Sequence, residues 1–592
     1  MGRKSGPGDR APKLPTPQEP SLSTAAKATA PLRRMDVEGV LLPGSQEFGT
    51  FAESFARKLG DLEGASPSVV DGRQPRESDK RQAAERAFEE SDEAIVPEKS
   101  AKTRVTPVEL MEGRAEAKGQ SVARNALSTQ GEAGAVTYMQ RIRQRAEGKP
   151  EGRWTNLFGH LREPLLAQAY HSLRRNAATG VDGVTWEAYG ERLDERLRDL
   201  GERLHTGRYH PQPVRRVEIP KENGKTRPLG VPALEDKIVQ QAVKWLLEPI
   251  YEAQFLGFSY GFRPNRSAHD ALDAVGTAMY RTVNWVLDAD IRAFFDTIDH
   301  GWMQKFVEHR IGDRRLVRLL MKWMKAGVMK DGELHEVKEG TPQGGVISPL
   351  LANIYLHYVL DLWVHSWRKK QATGDVYVVR YADDFVMGFQ REKDARAMRA
   401  ALADRMAKFG LELHPEKTRV LEFGRYARED RARRGLGKPE TFEFLGFLHI
   451  AAKDRRGRYQ LRRHTSAKKM RAKLARIKAE CRKRRHEPVV VQHAWLRRVV
   501  TGHFNYYAVP TNTDALKRFH YSVERTWHQS LQRRSQRGRW RVGQTGRFAD
   551  RFPLPTPTIR HPWPTERFAA RIAQGGSPVR EIRSPGSVRG AG

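Results

Sequence analysis

The chain has 592 residues, enough for roughly two to four domains, and carries a formal net charge of +34. Positive charge on this scale predicts a polyanionic partner, nucleic acid before an anionic membrane, and no apolar run is long enough to cross a bilayer. The single cysteine, Cys481, excludes a disulfide framework and a multi-cysteine zinc site. We therefore expect a cytoplasmic protein that associates with nucleic acid and not with a membrane.

The first 130 residues predict a largely disordered N-terminal extension. Their four aromatic residues are all Phe, and the stretch is rich in Pro, Gly, Ser and charged side chains. Such a composition buries too little apolar surface to offset the entropy lost on folding. From about Thr137 the chain changes to alternating helical and strand-like segments.

The segment 137–450 is expected to form one α+β unit. Apolar residues at helical spacing predict helices in "EPLLAQAYHSLRRN", "EDKIVQQAVKWLLEPIYEAQF", "HGWMQKFVEHRI" and "PLLANIYLHYVLDLWVHSWRKK". "PVRRVEIPKENGKTRPLGVP" is typical of a hairpin, "VNWVLDADI" of a strand and "VYVVRYADDFVMGF" of a strand–turn–strand. Helices mixed with antiparallel strands in one large unit indicate an α+β fold.

The segment 451–550 contains 27 Lys and Arg against six Asp and Glu, a net charge of +21. Aromatic residues are interleaved with these charges: Trp495, Phe504, Tyr506, Tyr507, Phe519, Tyr521, Trp527 and Trp540. Positive charge for phosphates and rings for stacking or packing are typical of an RNA-binding helical module. We expect most of the rings to form a core and most of the Lys and Arg to face RNA. The remainder, 551–592, reads as a basic, extended tail rich in Pro and Gly.

Carboxylates at the ends of apolar strands are the clearest candidates for chemistry. Period-two alternation in "NWVLDADIRAFFDTID" places Asp288 and Asp290 on the face opposite to Trp285, Leu287, Ala289 and Ile291. Further along, Asp383 and Asp384 stand side by side between two apolar runs, where like charges repel. Asp296 and Asp299 are expected to cap the helix of "HGWMQKFVEHRI".

Divalent cations would neutralise this set of carboxylates. The hairpin itself offers only Arg380, which is too little positive charge for all of them. Mg²⁺ prefers oxygen ligands and takes one or two protein carboxylates together with substrate phosphates. Two such ions about 4 Å apart serve nucleotidyl transfer.

Several longer motifs, in order along the chain, resemble those of a known protein family. The chain resembles the bacterial group II intron-encoded reverse transcriptase/maturases from about Gly180 to Arg580, in the order "NAATGVDGVT", "VRRVEIPKENGKTRPLGVPALEDKIVQ", "GFSYGFRPNRSAHDAL", "VLDADIRAFFDTID", "GTPQGGVISPLLANIYL", "VVRYADDFVMGF", "LELHPEKTRVLEFG" and "FEFLGFLHI". "LRRVVTGHFNYYAVPTNTDALKRF" resembles the maturase region. The resemblance implies a right-hand polymerase with fingers and palm at 137–450, followed by a helical thumb/maturase domain at 451–550.

The resemblance also implies roles for individual residues. Asp290, Asp383 and Asp384 match the catalytic acidic triad, in which Asp290 and Asp383 hold the metals and Asp384 supports them. The nucleotide-binding positions are Lys221, Arg227, Phe295, Gln343 and Gly344. Phe295 matches the aromatic residue under the sugar, where a ring excludes a ribose 2′-hydroxyl. Lys417 matches a lysine at the palm edge that we expect to be structural. In the basic region, candidates for RNA binding are Arg497, Arg498, Arg533 and Arg534.

The expected function is RNA-directed DNA synthesis together with assistance to splicing and mobility of a group II intron. The expected cofactors are two Mg²⁺ ions, for which Mn²⁺ can substitute. The expected partners are the intron RNA, an RNA template with a DNA primer, dNTPs and target DNA. Two alternatives stay open: a splicing-only maturase with an inactive polymerase, and a host-adopted reverse transcriptase in defence. The single cysteine leads us to expect no Cys-paired His-Asn-His nuclease and no second-strand cleavage of target DNA.

Overall fold

The computed structural model describes residues 130–148, 151–220, 226–330, 333–335, 340, 344–534 and 544–564. The N-terminal extension 1–130 lies almost wholly outside these ranges, as do Lys221, Gln343, Trp540 and the end of the tail. Within the described residues, none of the helices is both long enough and apolar enough to cross a membrane.

A mixed four-stranded sheet, the fingers sheet, has the strand order β2-β1-β4-β5. Its strands are β1 (Val214–Pro220), β2 (Thr226–Val231), β4 (Val328–Lys330) and β5 (Glu333–His335). β1 and β2 pair antiparallel with Arg216 opposite Gly230, which confirms the predicted hairpin. β4 joins β1 in parallel, so this sheet is completed by residues about a hundred positions downstream.

Within the described residues, four α-helices precede β1 in the chain and the next two follow β2. They are α1 (Gln130–Gly148), α2 (Glu163–Ser172), α3 (Trp186–Gly190), α4 (Leu193–His205), α5 (Leu234–Glu252) and α6 (Ala268–Met279). The predicted long helix is α5, whose apolar residues are buried over most of its length. α6 begins with a capping box, in which Ser267 and Asp270 each accept a hydrogen bond from the other's backbone N–H.

A second four-stranded sheet, the palm sheet, has the order β6-β7-β3-β8 and is antiparallel throughout. Its strands are β3 (Trp285–Asp290), β6 (Val376–Tyr381), β7 (Asp384–Phe389) and β8 (Arg419–Glu422). Its helices are α7 (His300–Arg310), α8 (Arg314–Met324), α9 (Ser348–Leu356), α10 (Leu362–Lys370), α11 (Glu392–Lys408) and α12 (Ala427–Arg433). Both faces of the central strands are buried, since Leu287 and Val286 belong to two different apolar clusters.

Three predicted details need correction. Asp299 caps α7 by accepting from the backbone N–H of Trp302 at 2.6 Å, as predicted, whereas Asp296 ends a separate 3-10 turn (Phe294–Asp296) and is not a cap. The segment predicted as one helix from Pro349 is interrupted by a π-helical turn, His357–Asp361, between α9 and α10. The helix of "EPLLAQAYHSLRRN" ends at Ser172, because the chain is extended at Leu173.

The C-terminal region begins with a third sheet, of order β11-β10-β9, and continues as helices. The elements are β9 (Thr441–Phe444), β10 (Phe447–Lys453), β11 (Tyr459–Thr465), α13 (Ala467–Lys483), α14 (Val489–Tyr507), α15 (Thr513–Gln532) and α16 (Gln544–Arg551). The helices therefore begin later than the predicted boundary at residue 451. We refer to α13, α14 and α15 as the thumb helices.

The thumb helices share an apolar core of their own. Phe504, Phe519 and Trp527 are fully buried in it, and Cys481 is a free, buried thiol packed among them. Tyr521, by contrast, is 63% exposed. The segment 552–563 has no regular secondary structure and lies against these helices, with Leu554 buried. The expectation that most aromatic residues of this region form a core is confirmed, and with it the α+β fold class.

Candidate active site

The two predicted acidic segments meet at one end of the palm sheet. In the antiparallel pairing of β3 with β7, Asp290 lies directly opposite Asp384. Asp383 lies in the two-residue loop between β6 and β7, and Ala382 in the same loop has a positive φ of 58°. A positive φ at the first loop position is typical of tight hairpins, where it matches the twist of the strands. The loop thereby holds Asp383 beside the Asp290–Asp384 pair.

Burial and the charges of neighbouring carboxylates make Asp384, Asp383 and Asp288 hard to ionise. Burial, followed by the charges of Asp383, Asp288 and Asp290, raises the pKa of Asp384 to about 7. Burial also raises the pKa of Asp383, and the charge of Asp290 adds to it. The pKa of Asp288 rises to about 6, mainly through burial. A carboxyl group that resists ionisation among other carboxylates gains most from a bound cation.

Two basic side chains approach the acidic cluster from the segment that follows α11. Lys417 forms an ion pair with Oδ2 of Asp290, and Arg419 lies 3.7 Å from Oδ2 of Asp288. The backbone brings them there, because the N–H of His414 donates to the carbonyl of Asp290 at 2.8 Å. The family resemblance placed Lys417 at the palm edge with an expected structural role, and the structure adds its ion pair with Asp290.

The carboxylate oxygens of the acidic cluster fit Mg²⁺, although they do not form a complete coordination shell by themselves. Within the described residues, no three His, Cys, Asp or Glu side chains approach closely enough to hold a metal ion by themselves. Mg²⁺ commonly needs only one or two protein carboxylates, with phosphates and water completing the shell. Asp290, whose side chain is 30% exposed, and the partly buried Asp383 and Asp384 present oxygens of the kind it prefers.

The predicted nucleotide-binding residues are only partly described. Phe295 lies in the 3-10 turn after β3, partly buried and edge-on to Phe294 at 5.3 Å between ring centroids. Gly344 has a φ of 114°, and a β-carbon there would overlap the carbonyl oxygen of Gly230 in β2. Arg227 lies in the same strand, opposite Ile219. The structure thus brings the Gly344 loop against the strand that carries Arg227.

The thumb helices approach the carboxylates, which the sequence did not indicate. The charge of Lys469 on α13 counteracts the rise in the pKa of Asp384. From α14, Tyr506 donates to the carbonyl of Leu445 at 2.8 Å. Burial raises the pKa of Tyr506, and the charge of Asp384 makes a smaller contribution. Neither residue carries a local sequence signal of this role, because their proximity to Asp384 depends on tertiary packing.

Of the four arginines named as RNA-binding candidates, three are exposed. Arg497 and Arg498 lie on the surface of α14, and Arg533 follows α15. Arg534 fits RNA binding less well: its Nε donates to the carbonyl of Arg485 at 2.5 Å, and its Nη2 donates to the carbonyl of Glu487. Its guanidinium therefore stabilises the turn between α13 and α14.

Comparison with known proteins identifies a reverse transcriptase domain in the chain. Residues 219–449 match the family model "Reverse transcriptase (RNA-dependent DNA polymerase)". Protein YkfC of Escherichia coli is 42% identical over 240 residues, covering 35% of this chain and 62% of that protein. Group II intron-encoded protein LtrA of Lactococcus lactis is 37% identical over 237 residues, covering 40% and 39%. The more distant Nuclear intron maturase 2, mitochondrial, of Arabidopsis thaliana is 24% identical over 258 residues, covering 36% and 33%.

These matches confirm the resemblance to intron-encoded reverse transcriptases. The chain matches 62% of the length of the first of these relatives and 39% of the second. The family model spans both strands that carry the acidic residues, β3 and β7, and it also spans the hairpin strand β2.

Proposed function

We propose that this chain, which contains a reverse transcriptase domain and is related to group II intron-encoded proteins, is an RNA-directed DNA polymerase that also assists splicing and mobility of its intron. The observation that carries the proposal is the cross-strand pairing of Asp290 with Asp384, with Asp383 in the adjoining loop. Three carboxylates from segments 93 residues apart then lie at one end of a buried sheet. A metal-dependent nucleotidyl transfer site is the function that best accounts for this arrangement.

Asp290 and Asp383 would hold two Mg²⁺ ions, with Asp384 in support, and Mn²⁺ can substitute for them. When bound, the ions supply activation of the primer hydroxyl and charge neutralisation at the triphosphate. The buried β3 and β7 backbones fix the separation of the carboxylates before substrate arrives. Because burial and the neighbouring carboxylates raise the pKa of Asp384, a bound cation would compete with the proton on this group, and cation binding should strengthen as the pH rises.

The residues around the carboxylates are assigned to the nucleotide. Lys221 and Arg227 would contact the triphosphate, Phe295 would exclude the ribose 2′-hydroxyl, and Gln343 and Gly344 would pack beside the nucleotide. The close approach of Gly344 to Gly230 supports this grouping, because it places Gly344 against the strand that carries Arg227. Selection for dNTPs would rest on the ring of Phe295.

The basic surface is assigned to RNA. Exposed Arg497, Arg498 and Arg533 accompany an aromatic core that is mostly buried in the thumb helices, so the charges are more available to a partner than the rings. Recognition through phosphates and shape is typical of structured RNA. The partners proposed are the intron RNA, a primed RNA template and target DNA.

A primer-extension assay on an RNA template with Mg²⁺ tests the proposal. Asp383→Asn is expected to lower the rate at least about a thousand-fold, since it removes a metal ligand from the reacting centre. Asp375→Asn makes the same change at the far end of the same hairpin, where Asp375 accepts from the Thr282 hydroxyl at 2.7 Å, and is expected to retain activity. Equal activity of wild type and Asp383→Asn would refute the site.

RNA binding is expected to be separable from polymerisation. Asp383→Asn should bind intron RNA as the wild type does, with an affinity that falls steeply as salt is raised. Binding that is insensitive to salt would contradict the basic surface. RNA binding and splicing assistance by a wild-type protein that extends no primer would indicate the splicing-only alternative.

A further inference from the structure

The catalytic loop is backed by a buried polar network that the proposed chemistry does not use. Arg380, two residues before Ala382, has a fully buried side chain. Its Nε and Nη2 donate to the two carboxylate oxygens of Asp361 at 2.7 and 2.6 Å. Asp361 is equally buried, so the pair lies entirely out of contact with water.

The third nitrogen of Arg380 reaches the catalytic loop itself. Nη1 donates to the carbonyl oxygen of Ala382 at 3.0 Å and to Oδ1 of Asn353 at 3.0 Å. Ala382 is the residue with positive φ, a conformation that a side chain with a β-carbon adopts only when its surroundings enforce it. Because the Ala382 carbonyl belongs to the peptide bond of Asp383, the hydrogen bond fixes the backbone that carries this carboxylate.

Asn353 extends the network to a second segment against the loop. Its Nδ2 donates to the carbonyl of Gly261 at 2.8 Å, and a β-carbon at Gly261 would overlap the backbone nitrogen of Ala382. The segment is also tied to the backbone of Arg380, whose N–H donates to the Phe258 carbonyl at 2.9 Å. The loop is therefore held from behind by Arg380 and from the side by Gly261.

The π-helical turn accounts for the placement of the two acceptors. Two α-helical turns take about seven residues, and a π turn adds about one. Asn353 and Asp361 are eight residues apart with the turn His357–Asp361 between them, so they face the same way and bind the same guanidinium. An uninterrupted α-helix would rotate Asp361 away from Arg380.

We propose that Arg380, oriented by Asp361 and Asn353, is a positioning residue that holds the Ala382–Asp383 loop in its metal-binding conformation. The inference rests on the proposed polymerase function. None of the three residues is assigned a contact with substrate or metal; they act through the loop backbone. The fork of Arg380 matters more than its charge, because lysine has a single nitrogen and cannot bind Asp361, Asn353 and Ala382 together.

The test measures Mn²⁺ binding by electron paramagnetic resonance on the full chain without nucleic acid, beside primer extension titrated with Mg²⁺. Arg380→Lys is expected to weaken Mn²⁺ binding about ten- to a hundred-fold and to raise the half-saturating Mg²⁺ concentration similarly, with primer–template affinity unchanged. A merely structural role would leave both metal measurements unaltered in folded protein.

Two double variants separate positioning from packing. Arg380→Met with Asp361→Leu leaves no buried charge, so it is expected to fold even if Arg380→Lys does not, and to show the same loss of Mn²⁺ binding. The matched control is Arg463→Met with Asp273→Leu, which removes another buried pair, 3.3 Å apart, between β11 and α6. The control is expected to bind Mn²⁺ as the wild type does.

The outcomes distinguish this inference from the proposed function. Wild-type Mn²⁺ binding that Asp383→Asn abolishes supports the site, whatever the Arg380 variants do. With that established, wild-type Mn²⁺ affinity in a folded Arg380 variant would overturn the positioning role. An equal loss in the Arg463→Met, Asp273→Leu control would overturn it as well.

Discussion

The acidic triad predicts that the metal-free protein is stabilised when Asp384 is replaced by asparagine. The pKa of Asp384 in the fold is about 7, against 3.8 for an ordinary aspartate. A pKa higher by about three pH units corresponds to a penalty of about 4 kcal/mol on the ionised form, at 1.36 kcal/mol per unit. Partial exposure to water reduces this figure, so we expect Asp384→Asn to add about 2–4 kcal/mol to the free energy of unfolding.

The gain should depend on pH in a defined direction. A raised carboxyl pKa means that the folded state binds more protons than the unfolded state between about pH 4 and pH 7. Wild-type stability therefore falls as the pH rises through that interval. The advantage of Asp384→Asn should be absent near pH 4 and complete above pH 7.

The assay is urea unfolding of the full chain in EDTA at pH 5 and pH 8, followed by circular dichroism. Asp361→Asn is the contrasting variant, because the Asp361 carboxylate accepts two hydrogen bonds from the buried Arg380. Breaking that pair should destabilise by about 3–5 kcal/mol. An unfolding midpoint for Asp384→Asn at pH 8 equal to or below that of the wild type would refute the reasoning.

Three further substitutions test other parts of the molecule. Phe295→Ala should raise ribonucleotide incorporation at least about ten-fold in primer extension, whereas the control Phe294→Leu, at the buried neighbouring residue, should not. Unchanged selectivity in Phe295→Ala would show that the Phe295 ring does not exclude ribonucleotides. Gly344→Ala should raise the KM for dNTPs or lower kcat by about ten- to a hundred-fold. The reason is that the φ of 114° at Gly344 and its contact with β2 leave no room for a β-carbon, and a variant with wild-type kinetics would contradict this reasoning. Trp527→Ala should lower the free energy of unfolding of the thumb by about 3–5 kcal/mol, because Trp527 is 1% exposed and donates a hydrogen bond to Gln492 at 2.9 Å. Tyr521→Ala, at an exposed position, should change that free energy by less than about 0.5 kcal/mol, and equal effects of the two substitutions would contradict the buried core.

Local patterns were sufficient to predict the elements that carry the acidic residues. Alternation in β3 places Asp288 and Asp290 on one face, and two apolar runs around a short polar turn indicate the β6–β7 hairpin. Both are properties of a few neighbouring residues, governed by strand periodicity and turn chemistry. The motifs of the family then predicted that Asp290 and the hairpin form one site, which local sequence patterns cannot predict.

Other parts of the site follow from contacts between distant segments. Lys417 reaches Asp290 only because the chain after α11 pairs with the end of β3. Lys469 and Tyr506 approach Asp384 only because the thumb helices pack against the palm. Side-chain identity gives no indication of such contacts, since a basic or aromatic residue on a helix is compatible with many neighbours.

Arg380 shows most clearly what the sequence predicts and what only the tertiary structure decides. Its position in the hairpin identified it as a cation near the two aspartates, with too little charge to neutralise them. In the structure its guanidinium donates hydrogen bonds to Asp361, Asn353 and the Ala382 carbonyl. Sequence determined which residues stand at the end of the strands, because strand periodicity is local. Tertiary packing decided which residues orient these side chains, because a buried guanidinium binds the acceptors that the fold places within its reach. For Arg380 these acceptors are positioned by a π-helical turn about twenty residues upstream.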